Sequence, residues 1–362
     1  MIRLFAALLL FVSLGEWPLA AQSESARQSW EEGWQAIQAG DGERAAAIFR
    51  QALERRPSDA VLHFGAAIAS HMLGRDRDAR QSLKRALELE PRLKDAARLL
   101  GEIEYRDGNV DEAIRAYEQA LAQAPGDLEI RERLDAWRKE STLHRNLTQR
   151  NDGRFSVVFE GRTDRALAER AIATLDAAYW RIGKAIGAFP SNSISVTLYT
   201  EQQFRDLTGA PEWSSGLFDG RIRVPVKGAL QNPKQFERVL AHELTHAMIY
   251  GLAPRGVPGW LHEGLASFFE PEDAADAVRV LRTTGVIPLA ALMEGFSRLN
   301  SQQAAVAYME SLVIADSLMR RVGNRMGMVL QGLDRGQTLD DSLQLVGVAL
   351  ADLEADLVKR FK

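Results

Sequence analysis

The 362-residue chain is long enough for two domains, each with its own core. It is 46% hydrophobic and 26% charged, and its net charge of −4 has both signs interspersed, without the basic stripe that nucleic-acid binding needs. Cysteine is absent, which excludes disulfides, thiolate ligands and cysteine nucleophiles and leaves any metal site to His, Asp and Glu.

Residues 1–21 read as a cleavable signal peptide. Met1-Ile2-Arg3 supplies a positive start, Leu4 to Leu14 an almost unbroken apolar run, and Leu19-Ala20-Ala21 a small-residue cleavage site ahead of Gln22. An uncleaved membrane anchor is the competing reading, but the run is short for a span. The expectation is an exported protein, periplasmic or secreted, with no membrane span after signal cleavage. With no cysteine near the cleavage site, it is not expected to be a lipoprotein.

From residue 22 to about 125 the chain repeats every 34 residues. Pro57, Pro91 and Pro125 keep that interval, as do Gly40, Gly74 and Gly108; Ala45, Ala79 and Ala113; and Ala52, Ala86 and Ala120. Phe49, Leu83 and Tyr117 supply one large apolar residue per repeat. The pattern predicts helix pairs. Each glycine ends a first helix in the left-handed conformation, each small alanine admits a close neighbour, and each proline stops the second helix. The period and these positions resemble the tetratricopeptide repeat (TPR). The first repeat matches best, with Gly33 also in place, and the second is read as lacking the large residues of its first helix. Leu128 to about Leu143 reads as a polar capping helix with Leu134 and Trp137 inward. The resemblance implies a groove for a peptide or protein partner; a spacer is the alternative use.

Past Asn151-Asp152-Gly153 the pattern changes. Arg154 to Glu160 and Ile194 to Thr200 read as strands, the second with Ile194, Val196 and Leu198 on one face. Between them Asp164 to Ile186 reads as an amphipathic helix burying Leu167, Ala171, Leu175, Tyr179, Ile182 and Ile186. Arg221 to Val226 reads as another strand, placed at a sheet edge because Pro225 cannot donate to a ladder. From Asn232 onward the chain is predicted helical. The fold class is α+β, with a small sheet and a large helical half. The division is 1–21 signal peptide, 22–150 repeats with their cap, and 151–362 second domain.

The informative helix starts at Asn232, an N-cap, with Pro233 at its first position. Phe236, Leu240, Leu244 and Ala247 form its core stripe. His242 and His246, four residues apart, stand about 40° apart around the axis and can both reach one ion. Glu243 lies beside the first, placed to meet a metal-bound water but not to ligate. This is the His-Glu-x-x-His zinc signature. Gly251, Pro254, Gly256, Pro258 and Gly259 then turn the chain back. A new helix opens with Trp260-Leu261-His262-Glu263-Gly264-Leu265-Ala266, which sets Glu263 in place as a third ligand.

His-Glu-x-x-His followed by Trp-Leu-x-Glu-Gly-Leu-Ala resembles the gluzincin metallopeptidases, specifically the bacterial Peptidase MA-like group, over residues 154 to about 323. The resemblance takes in Phe204-Arg205, Pro211-Glu212-Trp213, Gly220 to Pro225 and Ala307 to Ser311. It implies a zincin-like domain with His242, His246 and Glu263 as zinc ligands and Glu243 as general base. It also implies that the Arg221–Val226 strand borders a cleft where an extended peptide pairs. By analogy with gluzincins that use a downstream tyrosine, Tyr308 is the candidate oxyanion donor, with packing between helices as the other reading. Thermolysin-like relatives carry an acid four residues after the ligand glutamate, where this chain has Ser267, so no partner for His242 is evident. His262 points away from the metal if Glu263 points toward it and is read as a surface residue, with contact to substrate as the alternative. The expectation is an exported zinc peptidase acting on a peptide or protein substrate. The alternative is a non-catalytic TPR scaffold with a structural or degenerate zinc domain.

Overall fold

This computed structural model describes residues 24–144, 147–159, 165–209, 216–226, 232–270, 275–296 and 299–361. The expected signal peptide and Pro211-Glu212-Trp213 lie outside the described residues. The chain divides into two compact units between residues 146 and 147. Among the described residues no helix is long and apolar enough to cross a membrane.

The first unit is helical throughout: α1 (Glu24–Gln38), α2 (Gly42–Arg55), α3 (Ala60–Met72), α4 (Asp76–Leu89), α5 (Lys94–Arg106), α6 (Val110–Gln123) and α7 (Leu128–His144). Gly40, Gly74 and Gly108 follow the first helix of each pair with φ of +76°, +67° and +86°, the backbone that lets the chain reverse. Ala45, Ala79 and Ala113 are fully buried where the helices meet. The second repeat does not lack apolar bulk. Phe64 and Ile68 of α3 are buried one period after Trp30 and Trp34. The cap α7 turns Leu134 and Trp137 inward, and Trp137 stacks on Tyr105 at 4.4 Å.

The second unit is built on a five-stranded sheet of β1 (Thr148–Asn151), β2 (Phe155–Phe159), β3 (Ile194–Tyr199), β4 (Leu217–Phe218) and β5 (Ile222–Pro225), ordered β1-β2-β3-β5-β4. The pairs β2/β3 and β3/β5 are parallel, whereas β1/β2 and β4/β5 are antiparallel. Since β1 pairs with β2 along its length, residues 148–150 lie with this unit, whereas the boundary drawn at 150 placed them with the repeats. The crossover helix α8 (Arg165–Ile186) buries the predicted stripe from Leu167 to Ile186 against the sheet.

β3 keeps Ile194, Val196 and Leu198 in the core as expected, and one strand expectation changes, at β5. β3 is buried on both faces, because Arg221 and Arg223 cover its polar side: Arg221 donates to Thr197 at 3.3 Å and Arg223 to the Tyr199 hydroxyl at 2.8 Å. β5 is not the sheet edge. The two-residue β4 lies outside it, pairing Leu217 with Arg223 and Phe218 with Ile222. That pairing stops short of Pro225, so proline's missing donor is tolerated one strand in from the edge.

After the short α9 (Glu201–Thr208) and the sheet, the chain is helical: α10 (Pro233–Leu252), α11 (Gly259–Phe268), α12 (Ala275–Thr284), α13 (Leu289–Met293) and α14 (Ser301–Val322). A 3-10 turn at Gly323–Arg325, α15 (Met326–Asp334), α16 (Leu339–Gln344) and α17 (Leu350–Phe361) complete it. Asn232 caps α10, its side-chain oxygen accepting from the Gln235 N–H at 3.2 Å. One close approach sets the later site. A Cβ on Gly264 would lie 2.3 Å from the Ser311 carbonyl oxygen, so only glycine lets α14 pack this tightly on α11.

Glu310, beside that contact on α14, is fully buried. One oxygen accepts the Ile287 N–H at 2.7 Å, and the other has no partner among the described residues. Burial, opposed by that N–H, pushes the carboxyl up to about 7. A raised carboxyl favours folding while protonated, so its contribution is full below its ordinary value of 4.5 and is lost as pH climbs through about 7. Urea melts at pH 5 and pH 8 are therefore expected to show wild type losing on the order of 2–3 kcal/mol more than Glu310→Gln between the two. Equal losses would mean that Glu310 ionises as freely in the folded chain as in the unfolded one.

Candidate metal centre

α10 sets His242 and His246 one turn apart, and the reversal after Leu252 brings α11 back beside them. Their Nε2 atoms are 3.1 Å apart. Oε2 of Glu263 lies 3.6 Å from Nε2 of His242 and 3.5 Å from Nε2 of His246. A tetrahedral zinc ion with bonds of about 2.0–2.1 Å needs ligand atoms about 3.3–3.4 Å apart. The three edges of this triangle bracket that value, and the donor set of two imidazoles and one carboxylate fits the ion.

The charges fit as well. Glu243, Glu263 and Glu270 surround the two imidazoles, with the Arg238 guanidinium against Glu270. With both imidazoles neutral, as ligation requires, three carboxylates against one guanidinium leave a formal −2, which a divalent cation offsets. Burial raises the Glu263 carboxyl, but the charge of His246 and hydrogen bonds from both histidines outweigh it and hold it well below the carboxylate range. Burial disfavours a charged His242, yet hydrogen bonds to Glu263 and Glu270 push its imidazole up to about 10. Burial lifts the Glu243 carboxyl above its ordinary value, against the pull of His242 and His246.

The outer contacts differ from expectation. His242 does have a carboxylate partner: its Nδ1 is 2.8 Å from Oε1 of Glu270, whose other oxygen accepts from Arg238 at 2.7 and 3.1 Å. Glu270 lies just past the end of α11, seven residues after Glu263, so the acid sought at Ser267 sits nearly a turn further on. Arg238, four residues before His242 on the same face of α10, was the one available signal. His262 is not a surface residue. Its Nδ1 is 3.0 Å from Nδ1 of His246, and burial, with the charge of His246, pushes it down to about 3.

Two further residues border the triad. Gly216, leading into β4, passes so close to Glu243 that a Cβ there would lie 2.7 Å from Oε1. β4, outside the Arg221–Val226 strand, therefore starts beside the site. Tyr308 on α14 is 37% exposed, packs edge-on against Phe296 at 5.0 Å, and its hydroxyl has no hydrogen bond to the described residues. Burial and then the negative charges of Glu263 and Glu243 hold its phenol above the ordinary value, which places it in their field.

The model of the Peptidase MA superfamily matches residues 174–360, just over half of the chain. The chain belongs to the Peptidase MA superfamily. Within this Peptidase MA chain the match extends past residue 323 through α17, and a tetratricopeptide repeat model matches residues 31–76 and 73–127. Interferon-induced protein with tetratricopeptide repeats 3 from Mus musculus is 33% identical over 119 residues, 32% of this chain and 30% of that protein. The chain thus spans less than a third of that curated relative's length. Two solved structures are similar over 33% of the chain. The first TPR of Spaghetti (RPAP3) bound to the HSP90 peptide SRMEEVD has 21% identity and a TM-score of 0.32, with 98% of that chain covered. The first TPR domain of human RPAP3, solved by NMR, has 20% identity and a TM-score of 0.31, with 93% covered.

Proposed function

We propose that the second unit is a zinc-dependent peptidase. We propose also that the repeats bind a protein partner or substrate, and that the chain works outside the cytoplasm, in the periplasm or as a secreted protein. The observation that carries the enzymatic reading is the convergence of His242, His246 and Glu263 on one point with Glu243 beside them. A site that served only structure would have no use for a buried base there. The reading of the repeats rests on their match to the tetratricopeptide family, and that of export on the apolar run from Leu4 to Leu14.

His242, His246 and Glu263 would hold the ion, and Glu270 orients the His242 imidazole. When bound, zinc supplies Lewis acidity for water and for a scissile carbonyl. Glu243 takes the proton of the attacking water on its carboxylate and hands it to the leaving amine. β4, the end strand on the β5 side of the sheet, is assigned to the extended peptide, which would add to the sheet there. Tyr308 is assigned the hydrogen bond to the developing oxyanion.

Tyr308→Phe is expected to leave zinc binding intact and to lower kcat by about 10²–10³-fold, the loss usual for one oxyanion donor. An unchanged kcat with reduced thermal stability would return Tyr308 to a packing role against Phe296. The enzymatic reading itself is tested by cleavage of an unbiased peptide library, with Glu243→Gln as control. Stoichiometric zinc without cleavage of any peptide would favour a scaffold that keeps a metal for its fold.

A further inference from the structure

We propose that His262 is a positioning residue that fixes the tautomer of His246, its Nδ1 accepting the proton that His246 carries on Nδ1. The inference rests on the metal-centre reading and adds to it the one contact of His246 that no ligand signature includes. An imidazole binds a metal through one nitrogen only if its proton resides on the other, and that proton needs an acceptor. His246 turns Nε2 toward Glu263 and His242, at 3.5 and 3.1 Å. Its Nδ1 faces His262 Nδ1 at 3.0 Å.

The geometry is that of a hydrogen bond, not of stacking. The ring centroids are 5.2 Å apart. With ring nitrogens about 1.1 Å from each centroid, a hydrogen bond of ordinary length accounts for that separation and the rings meet edge to edge. The position of His262 in α11 explains how it comes to be there. Consecutive helical residues diverge by about 100°. Seen from α11, that divergence carries His262 and Glu263 to opposite edges of one His246 ring. The neighbour of the ligand thus grips the same imidazole from behind. As acceptor, His262 keeps its own proton on Nε2. The two zinc histidines then have unlike supports: a carboxylate behind His242 and a neutral imidazole behind His246.

The test uses the full chain and zinc affinity measured by competition with a chelator. His262→Ala is expected to weaken zinc binding by about 10–100-fold, the usual loss on removing such a support. His262→Asn, whose side-chain oxygen can stand where Nδ1 stood, is expected to recover most of it. Equal losses in the Ala and Asn variants would assign the effect to packing and overturn the proposal. So would wild-type affinity in His262→Ala alongside lost binding in His246→Ala. If wild type itself binds no zinc, the metal centre fails and this role falls with it. Nitrogen-15 spectra of the zinc-loaded wild type provide a readout independent of any variant. They should show His246 protonated at Nδ1 and His262 at Nε2, and a proton on His262 Nδ1 would overturn the assignment.

Discussion

Glu243→Gln is expected to bind zinc with wild-type stoichiometry, keep its melting temperature to within a few degrees, and lose peptide hydrolysis by about 10²–10⁴-fold. Gln matches Glu in shape, so the packing beside Gly216 and Val239 survives the exchange. It cannot accept the proton of the attacking water, and that step is the one asked of Glu243. The residue is 7% exposed and its carboxylate is lifted by burial, so its ionised form is costly to keep in place. Removing the charge is therefore expected to leave stability level or raised while activity collapses, an opposition that a purely structural carboxylate would not produce. Cleavage at the wild-type rate by Glu243→Gln would remove Glu243 from the mechanism.

The second large effect is the loss of stoichiometric zinc in Glu263→Ala, an affinity loss beyond the roughly 100-fold that removal of a supporting contact produces. Glu263 closes the ligand triangle, its Oε2 lying within 3.6 Å of both imidazole nitrogens. Without it two histidines remain, one short of the three protein ligands that a catalytic zinc site requires. Hydrolysis should vanish with the metal, and excess zinc should not restore it fully because the geometry is lost along with the charge. Metal content after dialysis, measured beside activity, separates this result from that of Glu243→Gln, in which metal stays and turnover goes. Full zinc retention by Glu263→Ala would require a different third ligand.

The parts that were legible in the sequence share a property: each is set by neighbours along the chain. The 34-residue period placed the turns at Gly40, Gly74 and Gly108 because a left-handed residue is needed wherever a helix pair reverses. The spacing of His242 and His246 placed both imidazoles on one face of α10 because four residues are nearly one turn. Glu263 could be named because the glycines and prolines after Gly251 force a reversal and the next helix opens with the ligand in its second turn.

What only the tertiary structure decided are the contacts that cross between elements at no fixed sequence interval. Glu270 reaches His242 from beyond the end of α11, and a search at the usual spacing stops at Ser267. His262 looked exposed because helical geometry turns it away from Glu263; the packing of α10 against α11 puts the far edge of His246 in that direction. Pro225 implied an edge strand, since a missing donor is an intrinsic property, yet the short β4 that pairs outside β5 has only two residues and no periodicity to read. The sequence by itself thus determined the repeat array, the α+β division and the three residues that converge as a candidate metal triad. The packing of α10, α11 and α14 decided how those residues are supported, because hydrogen-bond partners across a helix interface depend on crossing geometry and not on separation along the chain.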